Sequence, residues 1–344
     1  MSFLEQLNPE QREAVLHRDG PLLILAGAGS GKTRVICYRL AYLIGDGHAE
    51  PDQVLAVTFT NKAAEEMRSR VEKLLESESP RLWISTFHAF CARLLRREGP
   101  RIGLSRDFVI YDSVDQLSAV RQAMRDLNVD DKITPPRSLL SRISHAKNRM
   151  ESASDIRQNS HGFGDDQLAA VYERYLQTLT QSGALDFDDL LLKAVTLFET
   201  SDDARERYAE RFRYVMIDEY QDTNRPQYML IRLLTDQHRN LCVVGDPDQS
   251  IYKWRGADLR NILDFEEDYP ETTVVRLERN YRSTQVILDA ATNVISHNQH
   301  RKEKKLYAER CGGDLIVDTN QSSGDKTKNP YTRFTLSLPL DNRS

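Results

Sequence analysis

The stretch Leu22–Thr33, LLILAGAGSGKT, decides the fold. Leu22–Leu25 is a short apolar run, which predicts a buried strand, and the run Arg34–Ile44 carries apolar residues at helical spacing. Between them lie a glycine-rich turn and then Lys32 and Thr33. A strand, a glycine turn and a helix start in this order predict a phosphate-binding loop.

The residue types of this loop suit a nucleotide. Gly27, Gly29 and Gly31 allow a tight backbone curl whose N–H groups point at an anion, and the following helix presents its positive end to the same anion. The Lys32 ammonium would reach the β- and γ-phosphates, and the Thr33 hydroxyl would ligate Mg²⁺. The expected ligand is therefore a nucleotide with β- and γ-phosphates, bound together with Mg²⁺.

The pattern GxxxxGK[ST] fails at its first place, which is Ala26, whereas the looser form with Ala or Gly there is met. A glycine turn without a ligand is the alternative, but the GKT triplet and the flanking periodicities both favour a phosphate loop. The predicted nucleotide-binding loop residues are Ala26, Gly27, Ala28, Gly29, Ser30, Gly31, Lys32 and Thr33.

The length and amino-acid composition are those of an ordinary globular protein. The chain of 344 residues is long enough for two or more domains, with 40% hydrophobic and 29% charged residues. Apolar runs stay well short of the ~20 residues of a membrane span, and the N-terminus resembles no signal peptide. A net charge of −5 means that a nucleic-acid surface has to be a local patch.

The cysteines point to a reducing compartment. Cys37, Cys91, Cys242 and Cys311 are far apart, three of them lie in apolar segments, and no CxxC pair suggests metal or redox chemistry. We therefore expect reduced thiols in a cytoplasmic protein.

The first helix is predicted to open at Asn8, an N-cap, followed by Pro9 and Glu10 in its first turn. Gln11 lies close before the phosphate loop, where its amide could bond an adenine edge. By spacing alone, a solvated helix residue is the more common outcome for Gln11.

Further buried strands are predicted at Val54–Thr58, Leu82–Ser85, Tyr214–Ile217, Leu241–Val244 and Thr273–Leu277. In an open parallel sheet, ligands bind at the carboxyl ends of the strands. Asp218 and Glu219 stand at such an end, where Asp218 would hold Mg²⁺ and Glu219 would polarise the attacking water. Gln249 follows the next strand and could sense a γ-phosphate, and Arg282 is a candidate arginine finger.

Aromatic residues also follow strand ends. Phe59 and Asn61 could stack a base and bond a phosphate, and His88 could do either, although a lone histidine is more often structural. Tyr252 and Trp254 alternate with cations, as in a platform for single-stranded nucleic acid. As an isolated pattern, these two could equally be core aromatics.

From about Arg93 to Arg211 the strand–helix alternation lapses, which predicts a helical insertion. Its predicted helices are Val114–Leu127, Arg137–Arg149, Asp166–Thr180 and Phe187–Glu199. A local basic cluster lies here, for which a solvated helix face is at least as good an explanation as a binding surface: Arg137, Arg142, Lys147 and Arg149.

Eight motifs lie between about Leu7 and Gly312: LNPEQ, AGAGSGKTR, VTFTNKAAEEM, STFHAF, LDFDDLL, DEYQDTN, VVGDPDQSIYKWRGA and NYRST. Together they resemble the superfamily I DNA helicases of the UvrD/Rep/PcrA type. The resemblance implies an α/β P-loop NTPase (RecA-like) parallel sheet with an inserted helical subdomain. It also implies ATP-dependent 3′–5′ movement on single-stranded DNA, with tailed or forked duplexes as substrates and DNA-repair or replication proteins as partners.

The resemblance further implies roles for individual residues. Gln11 and Tyr281 would hold the adenine, and Arg34 would lie beside the phosphates. Lys32, Asp218, Glu219, Gln249 and Arg282 would form the catalytic set, with Thr33 and Asp218 at the metal. The single-strand track would be lined by Phe59, Asn61, His88, Tyr252 and Trp254.

The expected domain organisation is a first motor domain at 1–92 and 212–278, a helical insertion at 93–211, the start of a second motor domain at 279–316 and a disordered tail at 317–344. The family continues through a complete second motor domain with a second arginine finger, which this sequence does not contain. A truncated gene, a frameshifted end and a genuine short form are all compatible with it. An ATP- and DNA-binding module without helicase activity is therefore the main alternative, and the motor of a nuclease–helicase complex is disfavoured because no nuclease carboxylate cluster is seen.

Overall fold

The computed structural model describes residues 2–77, 81–298 and 302–310. The strands are β1 (Leu22–Ala26), β2 (Val54–Thr58), β3 (Trp83–Thr86), β4 (Val109–Ile110), β5 (Ala184–Leu185), β6 (Tyr214–Ile217), β7 (Leu241–Gly245), β8 (Thr273–Leu277), β9 (Arg279–Thr284) and β10 (Tyr307–Arg310). The helices are α1 (Pro9–Leu16), α2 (Lys32–Gly45), α3 (Asn61–Leu75), α4 (Phe87–Glu98), α5 (Ser113–Asp126), α6 (Pro136–Asn148), α7 (Ala153–Gln158), α8 (Phe163–Gln181), α9 (Phe187–Thr200), α10 (Asp202–Arg211), α11 (Arg225–Thr235), α12 (Arg260–Leu263), α13 (Phe265–Asp268) and α14 (Gln285–Ile295).

A six-stranded sheet in the order β3-β2-β6-β7-β1-β8 forms the centre, and every pairing within it is parallel. The predicted α/β fold with a parallel sheet is confirmed. Strands β1, β2, β6 and β7 consist entirely of buried residues. Helices cover both faces of such a sheet, which is why these strands read as continuous apolar runs.

Alternate residues of β1 enter opposite cores. Leu23 and Leu25 pack in the core that also holds Leu94 of α4 and Leu191 of α9. Leu22, Ile24 and Ala26 pack on the other face, with side chains of α1, α2 and α3. The two-residue period of a strand thus divides one apolar run between two helical layers.

The stretch between β3 and β6 is helical, apart from the short pair β4 and β5, which join in parallel. Helices α5, α6 and α8 share a core of their own, formed around Val120, Ile143 and Tyr175. The predicted boundaries of the insertion and of the other domains remain predictions.

Some element boundaries differ from the sequence predictions. Strand β3, predicted at Leu82–Ser85, spans Trp83–Thr86, and α4 begins directly after it at Phe87, because the Thr86 hydroxyl accepts the Ala89 N–H at 3.2 Å and caps the helix. The segment after β8, predicted without a strand, contains β9, which pairs with β10. That pairing joins residues almost 30 positions apart, which local periodicity does not report.

Three cysteines, Cys37, Cys91 and Cys242, are buried free thiols, as predicted for core residues. Cys311 and the predicted tail 317–344 lie outside the described residues. In the part of the chain that the structure describes, no helix is both long and apolar enough to cross a membrane.

Candidate nucleotide site and nucleic-acid cleft

The carboxyl ends of β1, β6 and β7 bring three predicted catalytic side chains together. β7 lies between β1 and β6, so the loops that follow these strands meet at one edge of the sheet. The Lys32 ammonium lies 2.8 Å from Glu219 Oε2 and 3.3 Å from Gln249 Oε1. Its side chain is only 11% exposed. A lysine, an acid and an amide from three loops therefore converge at the start of α2.

The phosphate-binding loop has the backbone that its glycines predict. Gly29 and Gly31 have φ of +71° and +92°, which side-chain-bearing residues rarely adopt. Space is restricted as well, since a Cβ on Gly31 would lie 2.9 Å from Gln11 Nε2, and one on Gly29 would lie 2.8 Å from Arg282 Cβ. The Ser30 hydroxyl donates to Gly27 O at 2.8 Å and fixes the curl. The loop thus ends directly at the N-terminus of α2, where backbone N–H groups favour anions.

Gln11 is buried rather than solvated, with 1% of its surface exposed. The side-chain oxygen of Asn8, the predicted N-cap, accepts a hydrogen bond from the Gln11 N–H at 2.7 Å. The side-chain oxygen of Gln11 in turn accepts a hydrogen bond from the Asn8 N–H. Gln11 Nε2 donates to Ser30 O at 3.0 Å, and Asn8 Nδ2 donates to the Tyr281 hydroxyl at 2.9 Å. Asn8 therefore links the two residues that the resemblance assigns to adenine, at one side of the loop.

Asp218 and Glu219 have different surroundings although they are adjacent. Asp218 is buried, and burial first and the neighbouring Glu219 second raise its pKa to about 7. Glu219 has φ of +51°, a strained value for a non-glycine residue, and its N–H donates to Asp218 Oδ1 at 3.0 Å. With this backbone conformation the Glu219 side chain points toward Lys32, while Asp218 lies at the end of the strand.

Gln221 is a site residue that was not predicted from the sequence. Its Nε2 donates to Glu219 Oε2 at 2.8 Å, and its Oε1 accepts the Asp246 N–H at 3.0 Å. Gly245 passes so close that a Cβ there would lie 2.6 Å from Gln221 Oε1. Gln221 therefore joins the loop after β6 to the loop after β7. Only the motif DEYQDTN as a whole, and no spacing rule, could have drawn attention to it.

The remaining predicted nucleotide residues surround the loop. Ala26 ends β1 and pairs with Leu277, and Thr33 lies in the first turn of α2. Arg282 is exposed, and its Cβ lies close against Gly29 of the loop. The Arg34 guanidinium donates to Gln6 O at 2.9 Å and stacks on the Tyr38 ring, so it faces the N-terminal segment.

A cleft of about 1,090 Å³ opens between the carboxyl edge of the sheet and helices α5, α6 and α9. Four of the predicted DNA residues line it: Phe59, His88, Tyr252 and Trp254. Asn61 does not, since it is exposed at the start of α3, outside the lining. Trp254 is 67% exposed, which argues against a core role for its ring.

His88 and Phe187 form the far wall of the cleft. Their rings meet edge to face with centroids 5.9 Å apart, and burial lowers the pKa of His88. Phe187 is 46% exposed although it begins α9, and it was not among the residues predicted to bind DNA. An aromatic residue directly after the helix-capping Asp186 is the signal that could have identified it.

The four residues of the predicted basic cluster have different surroundings in the structure. Arg137 lines the cleft, together with Arg121 of α5. Arg142 and Arg149 are exposed and pair with Asp165 and Glu151, as a solvated face predicts. Lys147 contradicts that prediction because its side chain is fully buried.

Residues 7–270 match the family described as UvrD/REP helicase N-terminal domain. The chain belongs to this family. It is 49% identical over 315 residues to the ATP-dependent DNA helicase PcrA of Staphylococcus epidermidis, which covers 92% of the chain and 43% of that relative. It is 50% identical over 314 residues to the ATP-dependent DNA helicase PcrA of Bacillus subtilis, covering 91% of the chain and 42% of the relative.

The chain thus spans less than half the length of these helicases. The family match includes the phosphate loop, the Asp218–Glu219 pair and the aromatic residues of the cleft. Tyr281 and Arg282 follow the matched residues of the UvrD/REP helicase domain.

Proposed function

We propose that this chain carries the ATP-hydrolysing and single-strand-binding part of a UvrD-type 3′–5′ DNA translocase. The observation that supports this most directly is the convergence of Lys32, Glu219 and Gln249 at the edge of the sheet that also opens into the aromatic cleft. The proposed phosphate site and the proposed base-binding site share one set of loops. Such sharing is needed if ATP hydrolysis is to be coupled to movement on DNA.

The residues present suit ATP with Mg²⁺. Positive φ at Gly29 and Gly31 opens the loop backbone to phosphate, and Asp218 supplies the carboxylate oxygen that hard cations prefer. Mg²⁺ held through Thr33 and Asp218 would neutralise charge on the β- and γ-phosphates. Lys32 would bind the same phosphates as a point charge.

Glu219 is the proposed base. In the structure its carboxylate accepts hydrogen bonds from Lys32 and Gln221. Both bonds end on Oε2, so a phosphate that draws the Lys32 ammonium away would leave Gln221 as the donor to that oxygen and make the carboxylate a stronger base toward water. Gln221 would keep the carboxylate in place, while Gln249 and Arg282 would respond to the γ-phosphate.

The cleft is proposed to hold single-stranded DNA. Trp254 and Tyr252 have ring centroids 6.3 Å apart, Phe59 and Phe187 lie on other walls, and Arg121 and Arg137 supply positive charge. Aromatic faces stack on bases and guanidinium groups meet phosphates, so binding would be largely independent of sequence. The proposal also includes tailed or forked duplexes as substrates, a cytoplasmic location, and repair or replication proteins as partners.

The nucleotide site is tested with Lys32→Ala and, as a control, Lys62→Ala, which changes an exposed lysine of α3. The readout is the affinity for a fluorescent ATP analogue with Mg²⁺. Lys32→Ala should abolish binding and leave the circular dichroism spectrum unchanged, because Lys32 is the first residue of α2 and its ammonium contacts polar groups rather than the apolar core. Equal affinity of Lys32→Ala and the wild type would reject the site.

The cleft is tested with Trp254→Ala and Phe163→Ala, the latter an 80% exposed aromatic of α8 that lies outside the cleft lining. Loss of one stacked base costs ~1–3 kcal/mol, so Trp254→Ala should weaken single-strand binding about 5- to 150-fold. Binding to blunt duplex should change less, and Phe163→Ala should change neither. Equal losses on both DNAs, or none, would refute stacking at Trp254.

A further inference from the structure

The segment that leads into β10 contains three lysines, and Lys304 differs from its neighbours. Its side chain is 5% exposed, and its ammonium contacts Asp246 Oδ1 and, at 2.7 Å, Asp248 Oδ2. Both carboxylates are themselves buried, at 3% and 9% exposure. Lys302 also pairs with a carboxylate, but its partner is close to solvent, because the Glu266 side chain is 50% exposed.

Asp246 connects Lys304 to the catalytic set. Its other oxygen, Oδ2, accepts a hydrogen bond from Gln249 Nε2. That bond fixes the amide so that Gln249 Oε1 faces the Lys32 ammonium at 3.3 Å. A continuous path of polar contacts therefore runs from Lys304 through Asp246 and Gln249 to Lys32.

The rest of the segment holds Lys304 in place. Leu306 packs on the phosphate loop so closely that a Cβ on Gly27 would lie 2.5 Å from Leu306 Cδ2. The Tyr307 N–H donates to Glu278 O at 3.0 Å and starts the pairing of β10 with β9, the strand of Arg282. The segment thus contacts the phosphate loop, the loop after β7 and the strand of the proposed arginine finger.

Electrostatics explains why a cation is needed here. The side chains of two acids separated by a single residue, Pro247, are largely withdrawn from water, and buried charges of the same sign are costly unless a cation pairs with them. Without the ammonium, the buried carboxylate of Asp246 would compete for other donors, and the hydrogen bond that orients Gln249 would weaken.

We propose that Lys304 is a positioning residue for ATP hydrolysis, which acts through Asp246 to hold Gln249 against Lys32. This inference rests on the proposed ATPase function. It makes the segment before β10 part of the machinery that responds to the γ-phosphate, although no atom of Lys304 needs to touch the nucleotide.

The test compares Lys304→Met with Lys302→Met in steady-state phosphate release. Lys304→Met should lower kcat about tenfold, which is about 1.4 kcal/mol of transition-state stabilisation. The KM for ATP should change much less, because Lys32 and the loop backbone still bind the phosphates. Lys304→Arg should recover part of kcat, and Lys302→Met should resemble the wild type.

A cycle with Gln249→Ala separates positioning from general stability. If Lys304 acts through Gln249, Lys304→Met should have no further effect on kcat in the Gln249→Ala background. Additive losses would overturn the inference, and so would an unchanged kcat in Lys304→Met. If Lys304→Met does not fold, the same cycle is measured with Lys304→Arg, whose smaller loss should also vanish in the Gln249→Ala background.

Failure of the ATPase function and failure of the Lys304 role give different results. Wild-type phosphate release that equals that of Lys32→Ala overturns the proposed ATPase and this inference with it. Wild-type release above Lys32→Ala, together with equal kcat values for Lys304→Met and Lys302→Met, overturns only the role of Lys304.

Discussion

Asp218 makes the stability of this protein depend on pH. In an unfolded chain an aspartate has a pKa near ~3.9, whereas burial and the neighbouring Glu219 raise the pKa of Asp218 to about 7. Between these values the folded state binds more protons than the unfolded state. The contribution of Asp218 to the free energy of unfolding therefore decreases as pH rises from about 4 to about 7.

Asp218→Asn should remove this contribution. Without Mg²⁺, we expect the variant to have a higher urea midpoint than the wild type at pH 8, and a gain only about a third as large at pH 5. A gain at pH 5 as large as that at pH 8 would mean that packing, not charge, is responsible. Millimolar Mg²⁺ should stabilise the wild type at pH 8 and stabilise Asp218→Asn much less, because the amide lacks the negative charge of the carboxylate proposed to hold the metal.

Single residues also show what the sequence could reveal. Lys32, Glu219 and Gln249 were placed at one site from motifs and strand ends, and the structure brings them within hydrogen-bonding distance. Gln11 was expected to be solvated by spacing alone, yet it is buried and its Nε2 donates to Ser30 O, 19 positions away. Gln221 and Lys304 owe their roles to partners in distant segments, and no local pattern encodes such contacts.

At the scale of elements, a buried ion cluster joins helix α6 of the insertion to α9. The Lys147 ammonium lies 2.7 Å from Asp186 Oδ2 and 2.7 Å from Asp189 Oδ1, and the Tyr175 hydroxyl of α8 donates to Asp186 at 2.9 Å. Desolvation raises the pKa of Asp189 to about 6, while Lys147 acts in the opposite direction. Helices α6 and α9, which line the cleft, and helix α8 therefore depend on a single buried cation.

Removal of that cation should be costly. Lys147→Met leaves two buried carboxylates without their partner, for which ~3–5 kcal/mol of lost stability is typical. The control is Arg149→Ala, which breaks an exposed pair two residues away and should change the free energy of unfolding by no more than ~0.5 kcal/mol. Urea unfolding measures both, and similar small effects for the two variants would show that the cluster contributes little.

Elements with their own periodicity were predictable, and those defined by a distant partner were not. β1 carries its apolar run in the sequence, and the cap at Asn8 fixes the start of α1 locally. β9 becomes a strand by pairing with β10, whose first residue is 28 positions away from its partner Arg279. Lys147 fits a basic helix face in the sequence, because charge patterns do not report which side a helix buries.

For the whole molecule, the loops after the sheet strands connect the nucleotide site to the cleft. The Asp258 N–H donates to Thr223 O at 2.9 Å, and Asn261 Nδ2 donates to the same carbonyl. Asn148 of α6 bonds to Asn224, and a Cβ on Gly256 would lie 2.7 Å from Asn148 Cβ. The loop of Glu219, the loop of Trp254 and helix α6 therefore form one packed unit, through which a change at the proposed phosphate site would reach the proposed base-binding cleft.

The 344 residues by themselves are predicted to bind ATP–Mg²⁺ but to hydrolyse it slowly and to separate no strands. Lys32, the proposed metal oxygens and Arg282 would meet part of the transition-state charge, and a polypeptide of these 344 residues alone carries no assigned second arginine finger. One such arginine is worth roughly 10³–10⁵ in rate, about 4–7 kcal/mol. Phosphate release with and without single-stranded DNA, beside a fluorescent unwinding assay on a 3′-tailed duplex, measures this. Robust unwinding would contradict the prediction and would require a second motor surface, for which self-association of the chain, visible by light scattering, is the first candidate.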